Sequence, residues 1–161
     1  MSAIARFLNV SRAALPELCD AAVPKKRSFF GGSKDTFEVT LKKHGREVAQ
    51  YKSSGYFLAA LLPYLESERN IDLMQSDLDE LSKFLSEKRG GTVFFLTHLH
   101  KDAYLTELGA DLSEAELGRY YDELMKDDDS GAGKPMLDGV RVLRESLATV
   151  DESSVVLLAI G

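Results

Sequence analysis

Hydrophobic residues follow two different periods along this chain, and together they predict a protein that contains both strands and helices. Three runs, residues 4–10, 92–96 and 155–160, are mostly apolar and rich in branched and aromatic side chains. Such runs are typical of strands that are buried on both faces of a sheet. Because two of the three lie near the termini, we expect the terminal strands at the centre of the sheet.

Apolar residues at helical spacing predict helices between these strands. In the segment 11–22, Pro16 predicts a helix that is bent or starts late. A second helix is expected from Ser54, and Pro63 should kink it or end it early.

Three further helices are marked by capping residues as well as by spacing. Ser76 is predicted to cap a helix that ends at Gly90. The pattern Ser113-x-x-Glu116 is a capping box, and a final helix is expected to start at Pro135.

The segment 37–51 alternates apolar and polar residues and predicts a β-hairpin. Phe37, Val39 and Leu41 would share one face, and His44-Gly45 would form the two-residue turn. With this hairpin, the sequence predicts a single compact domain over residues 1–161. Its fold class would be α+β (or α/β), with a mixed sheet and about four to five helices.

Composition narrows the functional classes. The 161 residues are 44% hydrophobic and 29% charged, with a net charge of −6, which is typical of a folded soluble chain. The one basic cluster, residues 25–27, is short, so nucleic acid is not an expected partner. No run is long and apolar enough for a membrane span, and Cys19 is the only cysteine. We therefore expect a cytoplasmic protein without membrane association.

The clearest candidate chemistry follows the strand at 92–96, where the sequence reads Thr97-His98-Leu99-His100-Lys101-Asp102-Ala103. This segment resembles the Thr-His-x-His-x-Asp-His motif of metallo-β-lactamase-fold hydrolases, which implies metal-dependent hydrolysis. The last histidine of that motif is Ala103 here, and only His44 lies elsewhere in the chain. A complete two-metal site is therefore excluded.

A single-metal site remains as a hypothesis. On an extended backbone, His98, His100 and Asp102 would point to the same face. Two imidazoles and a carboxylate suit zinc or another divalent transition metal, which can activate a bound water. The alternative is that both histidines bond to the backbone or face solvent, in which case no cofactor is expected.

A second candidate site is the aromatic pair Phe29 and Phe30, beside the basic residues 25–27. Exposed aromatic side chains next to positive charge would anchor a protein partner. A homodimer is a further hypothesis, because twofold pairing is the commonest form of assembly.

The two ends of the chain carry a resemblance to a known family. Residues 1–11 lead into a helix and residues 155–161 follow one, and both ends resemble the termini of YfbM-like uncharacterised bacterial proteins. The resemblance implies a compact cytosolic α+β fold and assigns no functional residue.

Two functions from different classes follow from these observations. The leading hypothesis is a small non-catalytic binding or interaction protein, because no complete active-site motif is present. The alternative is a metal-dependent hydrolase that uses His98, His100 and Asp102 as ligands.

Overall fold

A computed structural model of the protein describes residues 2–24 and 35–161. In these ranges the chain forms four strands, seven α-helices and a short 3-10 helix at Arg12–Ala14. The elements are, in chain order, β1 (Ala5–Ser11), α1 (Leu15–Ala22), α2 (Thr36–His44), β2 (Gly45–Gln50), α3 (Gly55–Arg69), α4 (Asp79–Arg89), β3 (Thr92–Leu96), α5 (His98–Tyr104), α6 (Glu114–Met125), α7 (Gly133–Ala148) and β4 (Ser154–Ile160).

The four strands form one sheet in the order β2-β1-β4-β3. The terminal strands β1 and β4 are its two central members, which confirms the prediction. Every neighbouring pair is antiparallel, so the sheet is not mixed. Antiparallel pairing also places the carboxyl ends of β1 and β3 at the same edge of the sheet.

Helices cover both faces of the sheet and divide the core in two. On one face, α3 and α7 pack against side chains that include Phe7, Val156 and Leu158. On the other face, α1, α2 and α4 pack against side chains that include Leu8 and Leu157. Neighbouring side chains of a strand point to opposite faces, so Leu157 and Leu158 belong to different halves of the core. The result is a three-layer arrangement of the predicted α+β class.

The predicted hairpin at 37–51 is wrong in its first half, which forms α2. Phe37, Thr40 and Leu41 are buried at helical spacing, whereas Val39 is 55% exposed. The Asp35 side chain accepts hydrogen bonds from the backbone N–H groups of Phe37 and Glu38, and so caps the helix. This local cap and the burial pattern outweigh the alternation that predicted a strand. Only β2 remains of the hairpin.

Proline has different effects in two helices. Pro16 lies in the first turn of α1, so the predicted late start is confirmed. Pro63 lies inside α3, but the helix continues to Arg69 and ends at Asn70, whose φ is 54°. The prediction of an early end at Pro63 is therefore wrong.

The helices α4, α6 and α7 lie close to the predicted positions. The hydroxyl of Ser76 accepts a hydrogen bond from Leu78 N–H, but α4 begins at Asp79 with Leu78 at its N-cap, so the prediction that Ser76 caps the helix is wrong. Gly90, in the left-handed conformation, follows the last residue of α4, as predicted. Ser113 caps α6 by accepting from Glu116 N–H. The last helix starts at Gly133, two residues before the predicted Pro135.

Within residues 2–24 and 35–161, no helix combines the length and the apolar character needed to cross a membrane. The predicted partner site at Phe29 and Phe30 lies outside the described residues.

Candidate functional site

The histidine segment is helical, which changes the geometry on which the metal hypothesis depends. Thr97 is the last extended residue, and His98 begins α5. Residues two positions apart on a helix point about 200° apart, whereas on a strand they share a face. The predicted alignment of His98, His100 and Asp102 along an extended backbone is therefore wrong.

His100 is 6% exposed, and both of its ring nitrogens have partners within the protein. Its Nδ1 accepts a hydrogen bond of 3.1 Å from Thr97 N–H. Its Nε2 lies 2.6 Å from the carbonyl oxygen of Gln75 and therefore carries the proton that it donates. Burial lowers the pKa of His100, which keeps the ring neutral. In this arrangement neither nitrogen is free to bind a metal.

The other predicted ligands do not join His100. His98 is half-buried, and its Nδ1 has no hydrogen-bond partner among the described residues, while Asp102 is exposed. Among residues 2–24 and 35–161, no group of three histidine, cysteine, aspartate or glutamate side chains is placed to hold a metal ion. The hydrolase hypothesis thus stays a prediction without a geometric observation in its favour.

A depression of about 450 Å³ lies beside His100 and has an acidic rim. Asp72 and Asp79 accept hydrogen bonds from backbone N–H groups of their own turn. Asp77 forms an ion pair of 2.8 Å with Arg12, which lowers the pKa of the Asp77 carboxyl. These carboxylates therefore stabilise the turn before α4.

A polar network that the sequence did not indicate connects α3 to α6. The Tyr64 hydroxyl donates a 2.6 Å hydrogen bond to Glu116, and Arg69 forms an ion pair of 2.9 Å with the same carboxylate. These two hydrogen bonds, first that of Tyr64 and then that of Arg69, lower the pKa of Glu116. Arg69 also donates to the carbonyl oxygens of Ala110 and Asp111. Glu116 thus contacts α3 instead of completing the predicted capping box.

A second depression, of about 300 Å³, lies between α2 and α4 over the sheet. Its floor is apolar and includes Leu157, and two arginines stand at its rim. Arg6 forms a 3.0 Å ion pair with Glu38, and Arg89 pairs with the carboxylate that caps α2. Carboxylates therefore neutralise both guanidinium groups at the rim of this depression.

The largest of these depressions lies on the outer side of α7 and has a volume of about 530 Å³. We call it the α7 groove. It is lined by Leu105, Gly109, Leu137, Val140, Arg141, Arg144, Glu145 and Ala148.

The wall of the α7 groove depends on Gly109. This residue has a φ of 93°, a left-handed conformation that glycine adopts without strain. A Cβ atom at this position would lie 3.2 Å from Val140 and 3.6 Å from a guanidinium nitrogen of Arg144. The absence of a side chain at Gly109 therefore lets the Arg144 side chain lie directly against this residue.

The two arginines of the α7 groove differ in their partners. Arg141 forms an ion pair of 2.7 Å with Glu145, one turn further along the helix. The ion pairs within residues 2–24 and 35–161 do not include Arg144, which is exposed. The groove thus places one uncompensated positive charge above an apolar floor.

No residue of the α7 groove was predicted as a functional residue, although the sequence carries a signal for it. Leu137, Val140, Arg144 and Ala148 recur at intervals of three or four, so they form one stripe of a helix. A basic residue within an otherwise apolar stripe is the only indication of a site, and it does not reveal the opposing wall at Gly109.

Comparison with known proteins identifies no relative: no family model, no curated protein and no solved structure matches the chain. The resemblance of the termini to YfbM-like proteins accordingly stays a prediction.

Proposed function

We propose that this protein is a non-catalytic binding protein and that the α7 groove is its ligand site. The observation that carries the proposal is the guanidinium of Arg144, which has no ion-pair partner within residues 2–24 and 35–161 and lies above an apolar floor. Ligand sites typically combine a mostly apolar lining with a small number of polar groups that fix orientation.

The size of the groove supports the proposal. Its volume of about 530 Å³ lies within the range of sites for small organic molecules, which is about 300–1,000 Å³. The lining residues Leu105 and Leu137 pack against the core but are only partly buried, so a ligand would remove apolar surface from water.

The structural roles of His100 and Glu116 also support binding over chemistry. His100 is bonded through both nitrogens, and Glu116 is bonded to Tyr64 and Arg69. These side chains stabilise turns and helix contacts, which is a structural role. The partner site predicted at Phe29 and Phe30 stays a separate hypothesis.

The test is an NMR titration with anilinonaphthalene sulfonate, a dye with an apolar ring system and one negative charge. We expect the largest changes in backbone amide chemical shift at Leu105, Gly109 and residues 137–148. Ala148 is exposed and lines the groove, so the variant Ala148→Phe would fill part of it and weaken dye binding.

The matched control is Ala115→Phe, which adds the same side chain to an exposed alanine of α6 outside the groove lining. It should leave dye affinity unchanged. The α7 groove would be refuted as the ligand site if the largest chemical-shift changes occurred elsewhere. It would also be refuted if the variants Ala148→Phe and Ala115→Phe bound the dye with equal affinity.

A further inference from the structure

The charges around the α7 groove restrict the class of ligand that it can hold. Arg141 is paired with Glu145 at 2.7 Å, and the Lys101 ammonium group donates hydrogen bonds to the carbonyl oxygens of Ala148 and Val150. Within the described ranges, Arg144 is therefore the cation of this surface that has no protein partner. One free guanidinium matches one anionic group.

A carboxylate is the anion that fits this arrangement. A guanidinium presents parallel N–H groups that bind both oxygens of a carboxylate at once. Glu145 lines the same groove, and the chain carries a net charge of −6, so a ligand with several negative charges would be repelled. A cationic head group would instead be repelled by Arg144.

The apolar floor of the α7 groove determines the polarity of the remaining part of the ligand. Leu137, Val140 and Leu105 offer no hydrogen-bonding side chain, so a polar body would lose its hydration without compensation. An aliphatic or aromatic body would gain from burial.

We infer that the α7 groove binds a small amphiphile with an apolar body and a single carboxylate, which Arg144 holds. This inference rests on the proposed function and adds the chemical class of the ligand. Arg144 selects the head group, and the floor of the groove selects the body.

The experiment compares three probes that share one alkyl chain, octanoate, octanol and octylammonium, each below its micelle concentration. NMR titration of the whole chain measures the affinity of each. We expect octanoate to bind at least about tenfold more tightly than octanol, because only the carboxylate forms charge-assisted hydrogen bonds with Arg144. Octylammonium should bind more weakly than octanol.

Substitution tests whether Arg144 is the cause of this order. In Arg144→Gln the affinity for octanoate should fall to that for octanol, while the affinity for octanol stays constant. The control Lys83→Gln removes one positive charge from an exposed position on α4, on the opposite face of the sheet. It should retain the full preference for octanoate.

The outcomes separate the inference from the proposed function. Equal affinities for octanoate and octanol at the groove, or an unchanged preference in Arg144→Gln, would overturn the carboxylate class and leave groove binding intact. If neither these probes nor the dye shifts the groove amides, both the inference and the proposed function fail.

Discussion

At the scale of single residues, His100 shows how a candidate catalytic side chain serves the fold. Its neutral ring accepts from Thr97 N–H and donates to the Gln75 carbonyl, so it connects the start of α5 to the turn before α4. Protonation of Nδ1 would remove the acceptor that Thr97 uses.

The free energy of unfolding should therefore depend on pH through His100. Burial lowers the pKa of the folded state below the unfolded value of 6.5, so the folded state favours the neutral ring. The stabilisation is complete above about pH 6.5 and is lost as the pH falls from there towards the folded pKa. Urea unfolding at a series of pH values measures this loss.

The variant His100→Asn should be less stable at neutral pH by about 1–3 kcal/mol, because the buried partners of the ring lose their hydrogen bonds. It should also lose part of the acid dependence. If the wild type and His100→Asn show parallel curves below pH 6.5, titration of His100 is not the source of the dependence.

A second prediction at this scale concerns Tyr64. The change Tyr64→Phe removes the 2.6 Å hydrogen bond to Glu116 and should lower the free energy of unfolding by about 1–3 kcal/mol. Tyr56→Phe on the same helix is the control, since Tyr56 is 50% exposed. Chemical unfolding compares the two, and equal effects would contradict a stabilising network at Glu116.

At the scale of secondary-structure elements, the contact of α6 with α7 depends on a glycine. A Cβ atom at Gly133 would lie 2.2 Å from the carbonyl oxygen of Glu114, so the backbone would have to move. At Gly118, which faces Gly133, an added Cβ would lie 3.6 Å from the nearest atoms, an ordinary contact distance.

Gly133→Ala should therefore destabilise the protein by about 1–3 kcal/mol or more, the usual cost of overpacking. Gly118→Ala should be neutral or slightly stabilising, because alanine favours helix. Thermal unfolding of both variants checks the difference. A tolerated Gly133→Ala would mean that α6 and α7 can separate without cost.

The elements also show what could be predicted from the sequence. Apolar runs identified β1, β3 and β4, because a strand that is largely buried on both faces has apolar residues at most of its positions. The segment 36–44 was mistaken for a strand, since Phe37, Val39 and Leu41 satisfy alternation while Phe37 and Leu41 also satisfy helical spacing. The pattern Asp35-x-x-Glu38 was the available signal for a helix start.

The candidate site was less accessible to sequence reasoning than the fold. The segment from His98 was assigned to an extended backbone because it follows β3, whereas Thr97 ends the strand and α5 begins. The α7 groove joins residues 105–109 to α7, and this proximity follows from the packing of the chain rather than from a local pattern.

At the scale of the whole molecule, the order of the strands sets the distribution of stability. β4 pairs with β1 and β3, and its side chains Leu157 and Leu158 belong to opposite halves of the core. In contrast, β2 is an edge strand whose register with β1 is interrupted between Phe7 and Leu8. Residues at the centre of a sheet exchange their amides only when the whole structure opens.

Native-state hydrogen exchange should therefore be slowest in β1 and β4 and faster in β2. Mass spectrometry of pepsin fragments resolves these strands. Equal protection in β2 and β4 would show that the edge strand opens only with the core.

The central position of β4 also has a consequence for synthesis on the ribosome. β1 is made before its long pairing partner, residues 154–160, which are translated more than a hundred positions later. Translation proceeds at roughly 5–20 residues per second, so β1 stays unpaired with β4 for on the order of ten seconds. During this time its apolar side chains are accessible to chaperones. A nascent chain arrested before Ser154 should thus be degraded by protease, whereas one that has extruded Ile160 from the exit tunnel should resist.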